Sequence, residues 1–154
     1  MAEASRRVDA KPARGGLANA MFIQASLEAL GSDLDSHVDR LTVNFPWGSL
    51  LRAMALPDVG LLTKLAALAK PRAELDVLVN MQPLRDAVLA ARLGLAQAAL
   101  AQDQSRLRSA YAQAGFAVTA IEDVTGALVC ATRWGSQLHF AGREVLRLRA
   151  VRDA

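Results

Sequence analysis

The chain has little of what most often marks an active site. It carries one cysteine, Cys130, and two histidines, His37 and His139, in 154 residues. A single thiol excludes an internal disulfide and suits a reducing compartment. One Cys and two His so placed form no metal-ligand spacing. No Gly-x-Gly occurs anywhere, so the chain lacks the usual glycine loop through which backbone closely approaches a ligand. No uninterrupted apolar run nears the ~20 residues of a membrane span. Residues 1–14 are charged and have no apolar h-region, which excludes a signal peptide there. These absences predict a cytoplasmic protein with no contact to membrane, held together by its core rather than by cross-links.

What is present is a hydrophobic content of 53%, enough for a real core, in a length that allows one domain. The formal charge of +3 is mildly basic and permits nucleic-acid binding without demanding it. The basic residues are uneven: Arg6, Arg7, Lys11 and Arg14 crowd the start, and Arg143, Arg147, Arg149 and Arg152 crowd the end. The expected organisation is a basic helix and loop over 1–16, broken at Lys11-Pro12-Ala13-Arg14-Gly15-Gly16, followed by an α/β body over 17–154.

Along that body, apolar runs predict strands at 20–24, 40–45, 74–81, 116–124 and 144–151. Helical patterns fall at 49–55, 58–69, 84–101 and 104–113, with a single turn at 27–30. Asp58 is a plausible N-cap, Leu61, Leu62, Leu65 and Leu68 form the face behind it, and Lys70-Pro71 is expected to end that helix. Gly115 reads as a C-cap. Strands that alternate with helices and finish with an antiparallel-looking pair indicate an α/β sheet.

The most informative stretch is Asn44-Phe45-Pro46-Trp47-Gly48-Ser49-Leu50-Leu51, directly after the strand-like Leu41-Thr42-Val43. It places a large, rigid aromatic at the carboxyl end of a strand, the edge where open α/β sheets bind ligands. The other tryptophan lies in Thr132-Arg133-Trp134-Gly135. Two flat aromatics on one rim suit a flat ligand such as a nucleobase. Taken alone, Trp47 also reads as a strand-end core residue, Ser49 as a helix N-cap, Glu28 as a solvated helix residue and the basic loop as a solvated surface.

Three segments, in this order and spacing, carry a resemblance: Lys11-Pro12-Ala13-Arg14-Gly15-Gly16-Leu17, Phe45-Pro46-Trp47-Gly48-Ser49-Leu50-Leu51, and Thr132-Arg133-Trp134 followed by Leu138. The chain resembles the 16S ribosomal RNA adenine-N1 methyltransferases of the aminoglycoside-resistance type, which are class I, S-adenosylmethionine-dependent enzymes. The resemblance covers roughly the last two thirds of such an enzyme. It implies a partial class I (Rossmann-like) sheet with helices on both faces and the first two strands missing. The implied partner is 16S rRNA in the small ribosomal subunit, and the implied cofactor is S-adenosyl-L-methionine.

By resemblance, Trp47 and Trp134 clasp the flipped target adenine. Leu27 and Glu28 border the adenine of the methyl donor, Asn44 and Ser49 flank its site, and Thr132 packs near it. Lys11 and Arg14 match RNA-backbone contacts, which are sequence-independent and salt-sensitive. Two departures follow. The glycine loop and the acidic ribose ligand of the family are expected before residue 1, so the chain as given is expected to be inactive or impaired, with an open sheet edge available for self-association. The family's basic residues after the second tryptophan are replaced by Ser136 and Gln137. Alternatives of other classes are an RNA-binding module without catalysis and a fragment that persists only with a partner over its open edge. A further enzyme alternative is an adenine-N6 amino-methyltransferase, whose Asn/Asp-Pro-Pro-aromatic corner Asn44-Phe45-Pro46-Trp47 partly matches.

Overall fold

The computed structural model describes residues 19–20, 23–95, 103–127 and 143–154. The chain separates into two compact units, residues 1–30 and 31–154. In the first, the described backbone carries one short 3-10 turn, Leu27–Ala29. In the second, four strands form one sheet: β1 (Val38–Asn44), β2 (Ala69–Asn80), β3 (Phe116–Asp123) and β4 (Val145–Arg152), in the order β1-β2-β4-β3. β1 and β2 are parallel, joined by helices α1 (Gly48–Ala55) and α2 (Val59–Leu68) as a crossover requires. The β2–β4 and β4–β3 pairs are antiparallel. The α/β class and the antiparallel finish read from the sequence are thus what the chain adopts.

Strand β2 organises the core because its side chains alternate. Leu75, Val77 and Val79 are buried on one face, and register sets Leu41 and Val43 of β1 and Leu148 and Ala150 of β4 beside them. Helix α2 lies over this face. Its Asp58 cap accepts a hydrogen bond from the Leu61 amide, and Leu62, Leu65, Ala66 and Leu68 are buried. Helix α5 (Gln104–Gln113) is capped in the same way by Asp103, which accepts from the Arg106 amide, and it buries Leu107 and Tyr111. The Tyr111 hydroxyl meets the Met54 sulfur of α1 at 3.4 Å, and burial pushes its pKa well up.

Gly115 ends α5 at φ +90°, where a Cβ would lie 2.3 Å from an Arg152 guanidinium nitrogen. That guanidinium donates to the carbonyls of Gly115 and Ala66, tying β4 to both helices.

The other face of the sheet is ionic. Asp76 is buried and takes two hydrogen bonds from Arg147, at 2.9 and 2.5 Å. Arg40 lies beside both Glu74 and Asp76, and Arg149 pairs with Glu122. The Arg147 hydrogen bond, reinforced by the charges of Arg147, Arg40 and Arg149, holds the Asp76 carboxyl below the ordinary carboxylate range despite its burial. The basic cluster at the end of the chain is therefore largely engaged within the fold.

Several sequence expectations are corrected. Ile23 and Gln24 form no strand; their backbone is irregular and Ile23 is exposed, because an apolar run becomes a strand only where a neighbour takes its hydrogen bonds. Helix α2 ends at Leu68 with Ala69 as its C-cap, immediately before Lys70-Pro71 as expected, but no loop follows. The chain passes straight into β2 at Ala69, five residues earlier than expected. A register shift between Val38 and Arg40, opposite Ala69 and Glu74, absorbs Pro71 and the positive-φ Arg72 at the start of β2. The expected 84–101 helix is broken. Helix α3 (Gln82–Arg85) stops at Asp86, which caps helix α4 (Ala87–Leu93), and α4 ends at Gly94 in the left-handed conformation. Residues 96–102 lie outside the described residues.

Candidate functional site

The site is built from a sharp corner after β1. Asn44 still pairs with Leu78 in the ladder, and the Phe45 amide donates to the Leu78 carbonyl at 2.8 Å. Phe45 itself adopts φ +51°, which costs a bulky L-residue roughly 1–2 kcal/mol. Pro46 is buried behind it. Trp47 follows in extended backbone, φ −134° and ψ 163°, at the N-cap of α1 with no side-chain cap bond. Gly48 then turns at φ +60°, with open space where a Cβ would be. Two left-handed residues thus bracket Trp47, and the indole is left 58% exposed while its neighbours are anchored. Helix α1 supplies the anchor, because Leu51, Ala53, Met54 and Ala55 are all buried.

Ser49 is not the N-cap; it sits one residue inside α1, and Trp47 holds the cap position. Asn44 and Ser49 are both exposed. Asn44, Trp47 and Ser49 thus lie within six residues of chain at the carboxyl end of β1, all three exposed. Leu27 and Glu28 lie in the Leu27–Ala29 turn of the first unit. Lys11, Arg14, Thr132 and Trp134 lie outside the described residues, as do Ser136 and Gln137.

The structure also shows residues that sequence reading missed. A cavity of about 750 Å³ opens beside Gly48 and Ser49 and is lined by Arg52 of α1, Arg92 of α4 and Arg106 of α5. Nothing in the sequence joins these arginines, which lie on separate helices and meet only through packing.

A family model described as NpmA: 16S rRNA (adenine(1408)-N(1))-methyltransferase matches residues 1–152. The chain belongs to this family. Among curated relatives, a 16S rRNA (adenine(1408)-N(1))-methyltransferase from Escherichia coli is 36% identical over 72 residues, which is 47% of this chain and 33% of that protein. The match therefore spans about a third of that relative's length. Among solved structures, the aminoglycoside resistance methyltransferase NpmB1 superposes with a TM-score of 0.83 at 40% identity, over 99% of this chain and 70% of its own. A variant of the 16S rRNA (adenine(1408)-N(1))-methyltransferase from Catenulisporales acidiphilia, solved with its cosubstrate SAM, superposes with a TM-score of 0.77 at 27% identity, over all of this chain and 68% of its own. The chain thus has the mixed α/β fold of these class I methyltransferases. Among the described residues no helix is long and apolar enough to cross a membrane.

Proposed function

We propose that this chain carries the base-holding part of an S-adenosylmethionine-dependent enzyme that methylates adenine N1 in the decoding site of 16S rRNA, giving aminoglycoside resistance. The observation that carries this reading is the strained Phe45-Pro46-Trp47-Gly48 corner, which holds an exposed indole at the carboxyl end of β1 in a chain matched by the family over 152 of its residues. An exposed tryptophan on a rigid, anchored turn is a stacking platform. Stacking one base on an aromatic contributes roughly 1–3 kcal/mol, which offsets part of the cost of taking an adenine out of its helix. Trp134 is the proposed second wall.

Asn44 and Ser49 fit the edge of a donor site, since both are exposed polar side chains beside open space at Gly48. Leu27, Glu28 and Thr132 are the further residues proposed to hold the donor. Bound there, S-adenosylmethionine would supply a methyl group on a positively charged sulfur. Adenine N1 brings its own ring lone pair, so the chain need not provide a strong base. Its task is to fix the base in line and exclude alternatives. Lys11 and Arg14 are proposed to contact the RNA backbone.

The test is methylation of purified small ribosomal subunits by this chain, with the modified position read as a reverse-transcription stop, alongside calorimetric binding of S-adenosylhomocysteine. A stop at the adenine, lost in Trp47→Ala, supports the reading. Binding of RNA without S-adenosylhomocysteine binding or methylation would replace it with an RNA-binding module.

A further inference from the structure

Among the described residues, six arginines have partners within the fold. Arg40, Arg85, Arg147 and Arg149 each meet a carboxylate, Arg108 donates to the Val118 carbonyl, and Arg152 is held by two carbonyls. Arg72 and Arg143 meet no carboxylate among the described residues; the three that line the cavity beside Gly48 differ from these in sharing one space. Arg52, Arg92 and Arg106 come from three helices, and none pairs with a carboxylate among the described residues. One carboxylate, Asp58, lines the same cavity, and its Oδ1 already accepts the Leu61 amide as the cap of α2. The Arg52 guanidinium lies against the bare face of Gly94, where a Cβ would be 3.9 Å away. Three cations therefore face one shared space against a single committed anion.

A cavity of about 750 Å³ is larger than one inorganic phosphate needs. Its wall also continues into Gly48 and Ser49, directly after the exposed Trp47. We propose that Arg52 and Arg106, in the cavity they share with Arg92, hold a backbone phosphate of the RNA strand whose base is presented to Trp47. This rests on the RNA-methylation reading above and adds the contact that fixes the strand beside the corner. Guanidinium forks match phosphate oxygens in paired geometry. Phosphate contacts set register and orientation while base contacts supply identity. The apolar Ala53, Leu56 and Leu61 on the same wall suit the sugar that a strand brings with its phosphate.

The test is binding of a decoding-site RNA oligonucleotide to this chain by fluorescence anisotropy, between ~50 and ~200 mM salt, the range over which phosphate contacts are read. The Arg52→Gln/Arg106→Gln double variant is compared with Arg108→Gln, which removes a positive charge outside the cavity, and circular dichroism verifies that each is folded. The expected result is at least a roughly tenfold loss of affinity at low salt in the double variant. The salt dependence should be shallower by about 0.7 to 0.9 logarithmic units, the contribution of the one phosphate held. A double variant within twofold of Arg108→Gln, while the parent binds RNA, overturns this site and leaves the methylation reading standing. A folded parent that binds no RNA removes the methylation reading and the site with it. Titration with inorganic pyrophosphate separates the sources: binding lost in the double variant, with RNA binding unchanged, would assign the cavity to a free phosphate ligand and overturn the RNA assignment.

Discussion

On one face of β2, Leu75, Val77 and Val79 are at most 1% exposed; on the other, Asp76 is clamped by Arg147 and flanked by Arg40. The same backbone, alternating with a period of two, thus presents two kinds of physics. The apolar face depends on area removed from water, roughly 25 cal/mol per Å², and carries no group that titrates. The ionic face depends on charge and geometry, and both can be changed from outside. Its central pair is worth keeping only while intact, because removing one partner leaves a buried charge unpaired. The comparison also locates the candidate site, since the Trp47 corner lies past the end of β1 and is supported by the burial of α1, not by the ionic network.

Leu62→Ala is the sharpest test of the apolar face. Leu62 is fully buried in α2, and truncation of such a leucine costs about 3 kcal/mol. In a chain of this size that lowers Tm by roughly 6–12 °C, and the loss should be the same at pH 4 and pH 7. Asp76→Asn tests the other face and should cost about 2 kcal/mol at neutral pH. Asp76 has a folded-state pKa below its ordinary value because of the Arg147 hydrogen bond. Its stabilisation is therefore fully present above the ordinary carboxylate range and is lost as pH falls through the folded value. Urea unfolding followed from neutral to acid pH should show that limb in the parent and a flatter one in Asp76→Asn. An equal acid limb in both would show that Asp76 is not the group that senses pH.

Glu122→Gln marks the weak end of the ionic face. Glu122 and Arg149 are both close to half exposed, so the pair contributes less than about 0.5 kcal/mol. Even that should vanish at ~1 M salt, where the screening length is about 3 Å. If Glu122→Gln instead destabilises as much as Asp76→Asn, the ionic face acts as one cooperative network rather than as a strong pair with weak neighbours.

The apolar face was readable from the sequence because its signals are local and periodic. Leu75, Val77 and Val79 alternate, Asp58 precedes a leucine stripe, and Gly115 punctuates α5. The ionic face was not readable, because Asp76 and Arg147 are 71 positions apart and only β2–β4 register joins them. The corner was legible as a motif, Phe45-Pro46-Trp47-Gly48, but its strain was not: nothing in the sequence states that Phe45 takes φ +51°. Of the strand expected at 20–24, the described Ile23 and Gln24 are irregular, and the helix expected at 84–101 is broken at Asp86. At Ile23 apolar content brings neither strand nor burial, and at 84–101 the Asp86 cap decides where one helix stops and the next begins.

The smallest expected stability change is the one at the site. Trp47 is 58% exposed and makes no cap bond, so Trp47→Ala should alter stability by no more than about 0.5 kcal/mol. The same substitution removes a stacking platform worth roughly 1–3 kcal/mol per base, a factor of about 5 to 150 in binding or rate. Thermal unfolding and RNA methylation measured on one preparation should therefore separate, with Tm nearly unchanged and methylation sharply reduced. If Tm falls by several degrees together with activity, Trp47 is a structural residue of the corner, and its exposure reflects packing geometry rather than a role in holding a base.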